Sequence, residues 1–279
     1  MEVALNYIIF AVFCIALSCM SCTTNTRTPQ PRPIQAVGDI ANTGSVKPGR
    51  EEEEAVLTEV LKIRGRKLEK ASGISFGKTW VIRADLEYSV GDGYRGQVDA
   101  QYVAEGQMVV FPIRKTYELN VKYKTPVRLL DPVLIADDPE FGALVDHELG
   151  HALSDIISRR AGLGPFFTVE QFNKLSRDRG MGVNITAEGI GMYFQRLLHP
   201  VDETLSPLAF PASVEQDSQY TYEIVVFQGG AWLMKDIIAK YGERGIVWVL
   251  AHPLVAPTDN MRSVAEAYRS KALTELARQ

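Results

Sequence analysis

Asp138-Pro139-Glu140-Phe141-Gly142-Ala143-Leu144-Val145-Asp146-His147-Glu148-Leu149-Gly150-His151 is the stretch on which the reading of this chain turns. Its start carries three helix signals. Asp138 can cap, Pro139 fits the first helical position, and Glu140 faces the positive end of the helix dipole. The pattern predicts a helix over 139–161. Residues four apart share a helical face, so His147 and His151 can aim both imidazoles at one ion. Glu148 projects beside that point, where it can take a proton from water. The chain has four histidines, His147, His151, His199 and His252, and two of them fall in this one H-E-x-x-H motif.

Upstream, residues 51–72 predict a helix. Glu51 to Glu54 stand in its first turn, Ala55, Leu57, Val60, Leu61 and Leu68 recur at helical spacing, and Ser72-Gly73 ends it. Residues 77–136 read as strands. Trp80, Ile82, Ala84, Leu86 and Tyr88 alternate, Gly91-Asp92-Gly93 supplies a turn, and further runs lie at 97–103, 107–113, 117–123 and 127–135. Downstream the pattern turns helical, with candidates at 169–177, 185–198, 222–241, 245–251 and 259–277. The expected fold class is therefore α+β. A mostly antiparallel N-terminal sheet packs on the motif helix, and a helical C-terminal part follows.

A catalytic metal needs a third protein ligand, with the fourth position left for water. Glu188, in Thr186-Ala187-Glu188-Gly189-Ile190-Gly191-Met192, is the best candidate. It lies on an apolar helix with little other reason to hold a charge, and Gly189 and Gly191 permit close approach of a neighbour. Its rivals are Glu170, explained by a capping box after Phe167-Thr168, Glu203 and Glu215 in polar or looping stretches, and Glu223 at a helix start. Asp155, one turn beyond His151, could accept that imidazole's other N–H; an exposed helical Asp is the plainer alternative. Stabilisation of a developing oxyanion calls for a Tyr or His near the metal. Tyr193, Tyr220, Tyr222 and His199 are available, with Tyr220 and Tyr222 favoured because they open the next helix. His252 has no assigned role.

These residues resemble the gluzincins, the zinc metallopeptidases of the thermolysin-like clan, over residues 130–245. The likeness is carried by His147 to Asp155, by Ala187-Glu188-Gly189, and by residues 222–242, which include Phe227-Gln228-Gly229-Gly230-Ala231-Trp232-Leu233. It implies a zincin-like fold in which His147, His151 and Glu188 bind Zn2+ and Glu148 is the general base. It also implies a peptide or protein substrate. Thirty-six residues separate His151 from Glu188, more than in thermolysin, and Met192 stands where thermolysin has an Asp. Ser154 and Ile157 exclude the metzincin branch, and the aminopeptidase Gly-x-Met-Glu-Asn segment is missing, so endopeptidase action is expected. Hydrolysis of a non-peptide bond, or an inactive zincin-fold binding protein, are the alternatives.

Composition bounds the rest. The chain has 279 residues, 46% of them hydrophobic, and 30 Lys+Arg stand against 34 Asp+Glu, a formal charge of -4. Without a basic excess or stripe, nucleic acid is not an expected partner. Cys14, Cys19 and Cys22 are the only cysteines, so the body has no disulfide framework and no thiolate metal site. Residues 3–20 are uncharged and mostly apolar, and Ala16-Leu17-Ser18-Cys19 resembles a bacterial lipobox, with Cys19 the lipidated residue. An uncleaved single-span anchor and a buried N-terminal helix are the other readings; the first two place the body outside the cytoplasm or at its membrane. Residues 23–50, rich in Pro, Thr, Asn and Gly, read as a flexible linker. The expected organisation is thus a 1–22 signal segment, a 23–50 linker and a 51–279 domain.

Overall fold

The structure is a computed structural model. It describes residues 49–87, 99–166, 181–201, 205–212, 224–255 and 260–279, with Thr168, Gln171 and Lys174. The expected signal segment with its cysteines, nearly all of the expected linker, the expected Gly91-Asp92-Gly93 turn, most of the expected 169–177 helix and residues 213–223 lie outside that description.

The fold is mixed α and β, mostly helical, with one small three-stranded sheet. Helix α1 (Arg50–Ser72) begins with Glu51, Glu52 and Glu53 and ends at Gly73. Gly73 takes a left-handed φ of 71° and donates its N–H to the Glu69 carbonyl, the usual way a glycine closes a helix. Its inner face buries Leu57, Val60, Leu61 and Leu68, while Gly65 admits the ring of Trp80 where a Cβ would collide.

Strands β1 (Arg83–Glu87), β2 (Gln101–Val103) and β3 (Met108–Pro112) lie in the order β1-β3-β2. The pair β2–β3 is antiparallel, but β1–β3 is parallel, with Arg83 opposite Met108. The sheet is therefore mixed, which corrects the expectation of a mostly antiparallel one. The hairpin from β2 to β3 inserts β3 between β1 and β2, so that β1 meets the strand running its own way. An exposed row of strand N–H groups invites pairing with another chain. Here side chains of α1 take up that row on β1: Ala84 N–H donates to Thr58 Oγ1 at 3.0 Å and Leu86 N–H to Glu54 Oε1 at 2.9 Å. Strand β2 forms the other edge.

Two expected strands are helical. Residues 117–123 belong to helix α2 (Ile113–Tyr123). Tyr117, Leu119, Val121 and Tyr123 alternate, but Thr116 and Leu119 are what the helix buries, at a spacing of three. Residues 127–135 form a 3₁₀ turn (Val127–Leu129) and the short helix α3 (Pro132–Ala136). Asp131 caps α3 by accepting the Val133 N–H, and Pro132 takes the first helical position, so local capping overrides the β-branched composition.

Helices α4 (Pro139–Arg160), α5 (Gly182–Leu198), α6 (Gly230–Tyr241), α7 (Glu243–Ala251) and α8 (Met261–Arg278) build the remainder. A π-helical turn (Ile224–Gly229) leads into α6. Helix α5 is packed between α4 and α6, and its glycines set the spacing. A Cβ on Gly189 would lie 2.6 Å from the Gly230 carbonyl oxygen of α6, and one on Gly150 of α4 would lie 3.2 Å from the Gly191 Cα. These contacts bring backbones together and fix which side chains of α4 and α5 meet.

Candidate metal centre

Helix α4 starts as its sequence dictates. The Asp138 carboxylate accepts the N–H groups of Glu140 and Phe141, both at 3.1 Å, and also accepts from Tyr123 Oη at 2.7 Å and Lys122 Nζ at 2.6 Å. Deeper in the helix His147, Glu148 and His151 are all buried. The two imidazoles lie edge to face, 4.7 Å between centroids, and turn their Nε2 atoms toward each other at 3.1 Å. From α5, Glu188 Oε2 comes within 3.0 Å of His147 Nε2 and 3.6 Å of His151 Nε2.

Three electron-rich atoms so close repel unless a proton or cation lies among them. A tetrahedral ion with bonds of about 2.0–2.1 Å places its ligand atoms about 3.3 Å apart, and the observed triangle has that size. His147, His151 and Glu188 could thus hold a metal ion, and among the described residues they are the one His/Cys/Asp/Glu group close enough to share one.

The surroundings tune each group. Burial opposes charge on His147, but the hydrogen bond and charge of Glu188, with help from Glu148 and Gln195, outweigh it and raise its proton affinity. Burial also raises the carboxyl of Glu188, yet its bonds to His147 and His151 prevail and hold it far below the usual carboxylate range. For Glu148 burial dominates and pushes its pKa up, against the pull of the two histidines. Its Oε2 accepts the Tyr102 backbone N–H at 2.6 Å, so strand β2 touches the candidate base directly.

Two expectations need correction. Asp155 is fully buried, and it spends its oxygens elsewhere than on the His151 imidazole. Oδ2 accepts from Tyr102 Oη at 3.1 Å and Arg159 Nε at 2.8 Å, and Oδ1 accepts the Phe166 N–H at 3.0 Å. It ties α4 to β2 and to the following loop. His199 is engaged in a buried ion cluster, its Nε2 3.0 Å from Asp146 Oδ2 and 2.7 Å from Arg64 Nη2, so it is committed away from an oxyanion role. Tyr193 is half-buried and packs edge-on against Phe194, 5.1 Å between centroids. His252 stacks on Trp248 and bonds its carbonyl. Tyr220, Tyr222, Glu170, Glu203, Glu215 and Glu223 fall outside the described residues.

Sequence reasoning missed Gln195, whose side chain lies close enough to His147 to favour the ring's charged form. The signal was present: Gln195 follows Glu188 by seven residues, two turns along the same face of α5. It also missed how Gly191 works, because a Cβ there would lie 2.7 Å from His147 Nε2. That glycine gives the imidazole ring its seat.

No protein-family model matches the chain, and neither a curated protein nor a solved structure matches it significantly. What the site can do is therefore argued from its own residues.

Proposed function

We propose that the chain is a zinc-dependent peptidase of the gluzincin type, with a zincin-like fold, acting on peptide or protein substrates outside the cytoplasm at a membrane. One observation carries the reading: two Nε2 atoms of an H-E-x-x-H helix and one Oε2 of the following long helix converge at 3.0–3.6 Å beside a buried carboxylate. A metal held only for structure would be closed by four protein ligands and would have no use for Glu148.

His147, His151 and Glu188 would hold the ion, which when bound supplies a Lewis acid to polarise a carbonyl and acidify water. Glu148, buried beside the converging ligand atoms, is placed to take the proton of the attacking water. The same carboxyl then passes that proton to the leaving nitrogen. Tyr102 N–H orients Glu148 from one side, and the clamp of Asp155 on Tyr102 Oη holds that strand in place. An extended peptide laid along the β2 edge would bring its backbone to this helix by the same hydrogen bonding that builds sheets. Tyr220 or Tyr222 supplies the donor to the carbonyl oxygen.

The test uses the purified full chain on a panel of unstructured proteins, with and without chelator. Chelator-sensitive cleavage with about one zinc per chain is expected for a catalytic site of this kind. Glu148→Gln should keep the metal and lose ~10²–10⁴-fold in turnover, the usual worth of a positioned base. Full activity in that variant would remove Glu148 from the mechanism. Bound zinc with no cleavage of any panel member would favour the zincin-fold binding protein, and cleavage of ester substrates alone would favour the non-peptide hydrolase.

A further inference from the structure

Three side chains of α4 reach strand β2 from one face of the helix. Glu148, Asp155 and Arg159 follow one another at steps of seven and four residues, a spacing that keeps them in line. Glu148 accepts the Tyr102 backbone N–H at 2.6 Å, Asp155 accepts the Tyr102 phenol at 3.1 Å, and Arg159 Nη2 donates to the Ala104 carbonyl at 2.9 Å. The candidate base is thus the first rung of a polar ladder. Its own partner is a backbone group, so where that partner stands depends on where the strand lies.

The strand has few other restraints. It is three residues long, and β3 is its one neighbour in the sheet. Ala104 opens the turn into β3, its carbonyl also accepting the Gln107 N–H at 3.4 Å. So short a strand supplies few ladder hydrogen bonds, and the side chains of α4 decide how it sits against the helix.

Arg159 ties the rungs together. Its Nε donates to Asp155 Oδ2 at 2.8 Å while Nη2 reaches Ala104, so one planar fork grips both the anchor of Tyr102 and the end of the strand. Asp155 has no exposure; its other oxygen accepts the Phe166 N–H, and its charge is paired with Arg159. Burial and that charge push the Tyr102 phenol well above its ordinary value, so Oη keeps its proton and stays a donor to Asp155.

We infer that Arg159 is a positioning residue for Glu148: by holding Asp155 and Ala104 at once it fixes β2 against α4 and so sets where the Tyr102 N–H meets the candidate base. It does so from eleven residues, or roughly 16 Å of helix, further along α4. The inference rests on the peptidase reading for the role of Glu148, but the geometry it asserts is measurable without any cleavage.

The experiment uses the full chain and its Glu148→Ala, Arg159→Met and Arg159→Lys variants. Hydrogen exchange resolved at the Tyr102 amide reads the bond to Glu148 directly. Glu148→Ala removes the acceptor and should speed that amide ~10-fold or more, the worth of a hydrogen bond to a charged group. Arg159→Met should speed it several-fold. Arg159→Lys should speed it less, because an ammonium keeps Asp155 paired but has no fork to hold Ala104 as well. In each case the change at Tyr102 should exceed that at the Leu149 amide, which lies inside α4. A Tyr102 amide at the parent rate in both Arg159 variants, or accelerated no more than Leu149, overturns the positioning role. Cleavage of unfolded casein by the zinc-loaded chains is the second readout. Arg159→Met should lower kcat ~10–100-fold, the scale of a misplaced catalytic group, with zinc content unchanged. In a Glu148→Gln background the same substitution should cost nothing further, since the group it positions is already gone. Losses that multiply would overturn the inference as well, because Arg159 would then act by another route. An inactive parent chain with the expected exchange pattern would remove the peptidase reading and leave the geometry standing.

Discussion

At Gly191 an added Cβ would lie 2.7 Å from His147 Nε2, so this position sets where the first imidazole can stand. Gly191→Ala must push the ring off its seat or part α4 from α5, and either change separates His147 from Glu188. Gln195 acts on the same ring more gently, as a polar neighbour that favours its charged form. Partners of that kind are worth ~10–100-fold in metal affinity. Gln195→Leu is therefore expected to weaken zinc by that factor, and Gly191→Ala by more. Competition against a graded chelator measures both, and a Gln195→Leu chain with unchanged affinity would leave His147 fixed by packing alone. The convergence of the candidate residues was legible because they are tied to a spacing: His147, Glu148 and His151 by the helical repeat, Glu188 by the misfit of a charge on an apolar, glycine-flanked helix. Gln195 and the true partners of Asp155 were not, since second contacts depend on how helices cross, and no one-dimensional pattern encodes the crossing of α4 and α5.

Helix α4 illustrates how far an element can be read from its own residues. Its predicted span, 139–161, agrees within one residue with Pro139–Arg160 because cap, proline and dipole all point the same way. The same Asp-Pro pair stands at Asp131-Pro132, and there the β-branched run that follows obscured it. In α2 two periods coexist in one short sequence, and only burial against the sheet and the 3₁₀ turn decides for the helix. The parallel β1–β3 pairing was illegible for another reason, since strand order depends on a connection through residues 88–100. A prediction belongs at the start of α4. Burial alone would raise the Asp138 carboxyl, but Lys122, Tyr123 and the Phe141 N–H lower it on balance. A carboxylate depressed in the folded state contributes stability above its unfolded pKa of about 3.9, and that contribution is lost as pH falls through the lower folded value. Asp138→Ala should cost ~1–2 kcal/mol near neutrality, and the deficit should shrink as acid protonates Asp138 in the parent chain. Urea midpoints followed from pH 6 down to the acid limit test this. A deficit that stayed constant throughout would mean that the cap acts through shape and not charge.

Across the whole molecule, one buried ionic cluster joins the N-terminal helix to the helices that bear the candidate metal ligands. Arg64 of α1 donates Nε to Asp146 Oδ1 at 2.9 Å, pairs through Nη2 with Oδ2, and bonds the Ala136 carbonyl at 3.1 Å. His199, just past the end of α5, closes the group. Asp146 precedes His147 directly, so this brace and the candidate metal site share a turn of α4. A buried pair of this sort contributes little net stability, because two charges lose their water, but breaking it is costly because one charge is then stranded. Arg64→Leu leaves Asp146, which has no exposure, without its guanidinium and should destabilise by ~3–5 kcal/mol. Removing both charges, as Arg64→Leu with Asp146→Leu, strands neither and should recover most of that loss, in the way buried pairs elsewhere tolerate apolar replacement. Zinc affinity gives a second, separable readout. If the brace holds α4 in register with α5, Arg64→Leu lowers affinity and the double variant restores it along with stability. Denaturant midpoints of the metal-free chains and chelator competition of the loaded ones form one cycle. Stability recovered without affinity would assign the charges themselves to the site, and a double variant as unstable as the single one would show that Arg64 acts through its bond to Ala136 and not through Asp146.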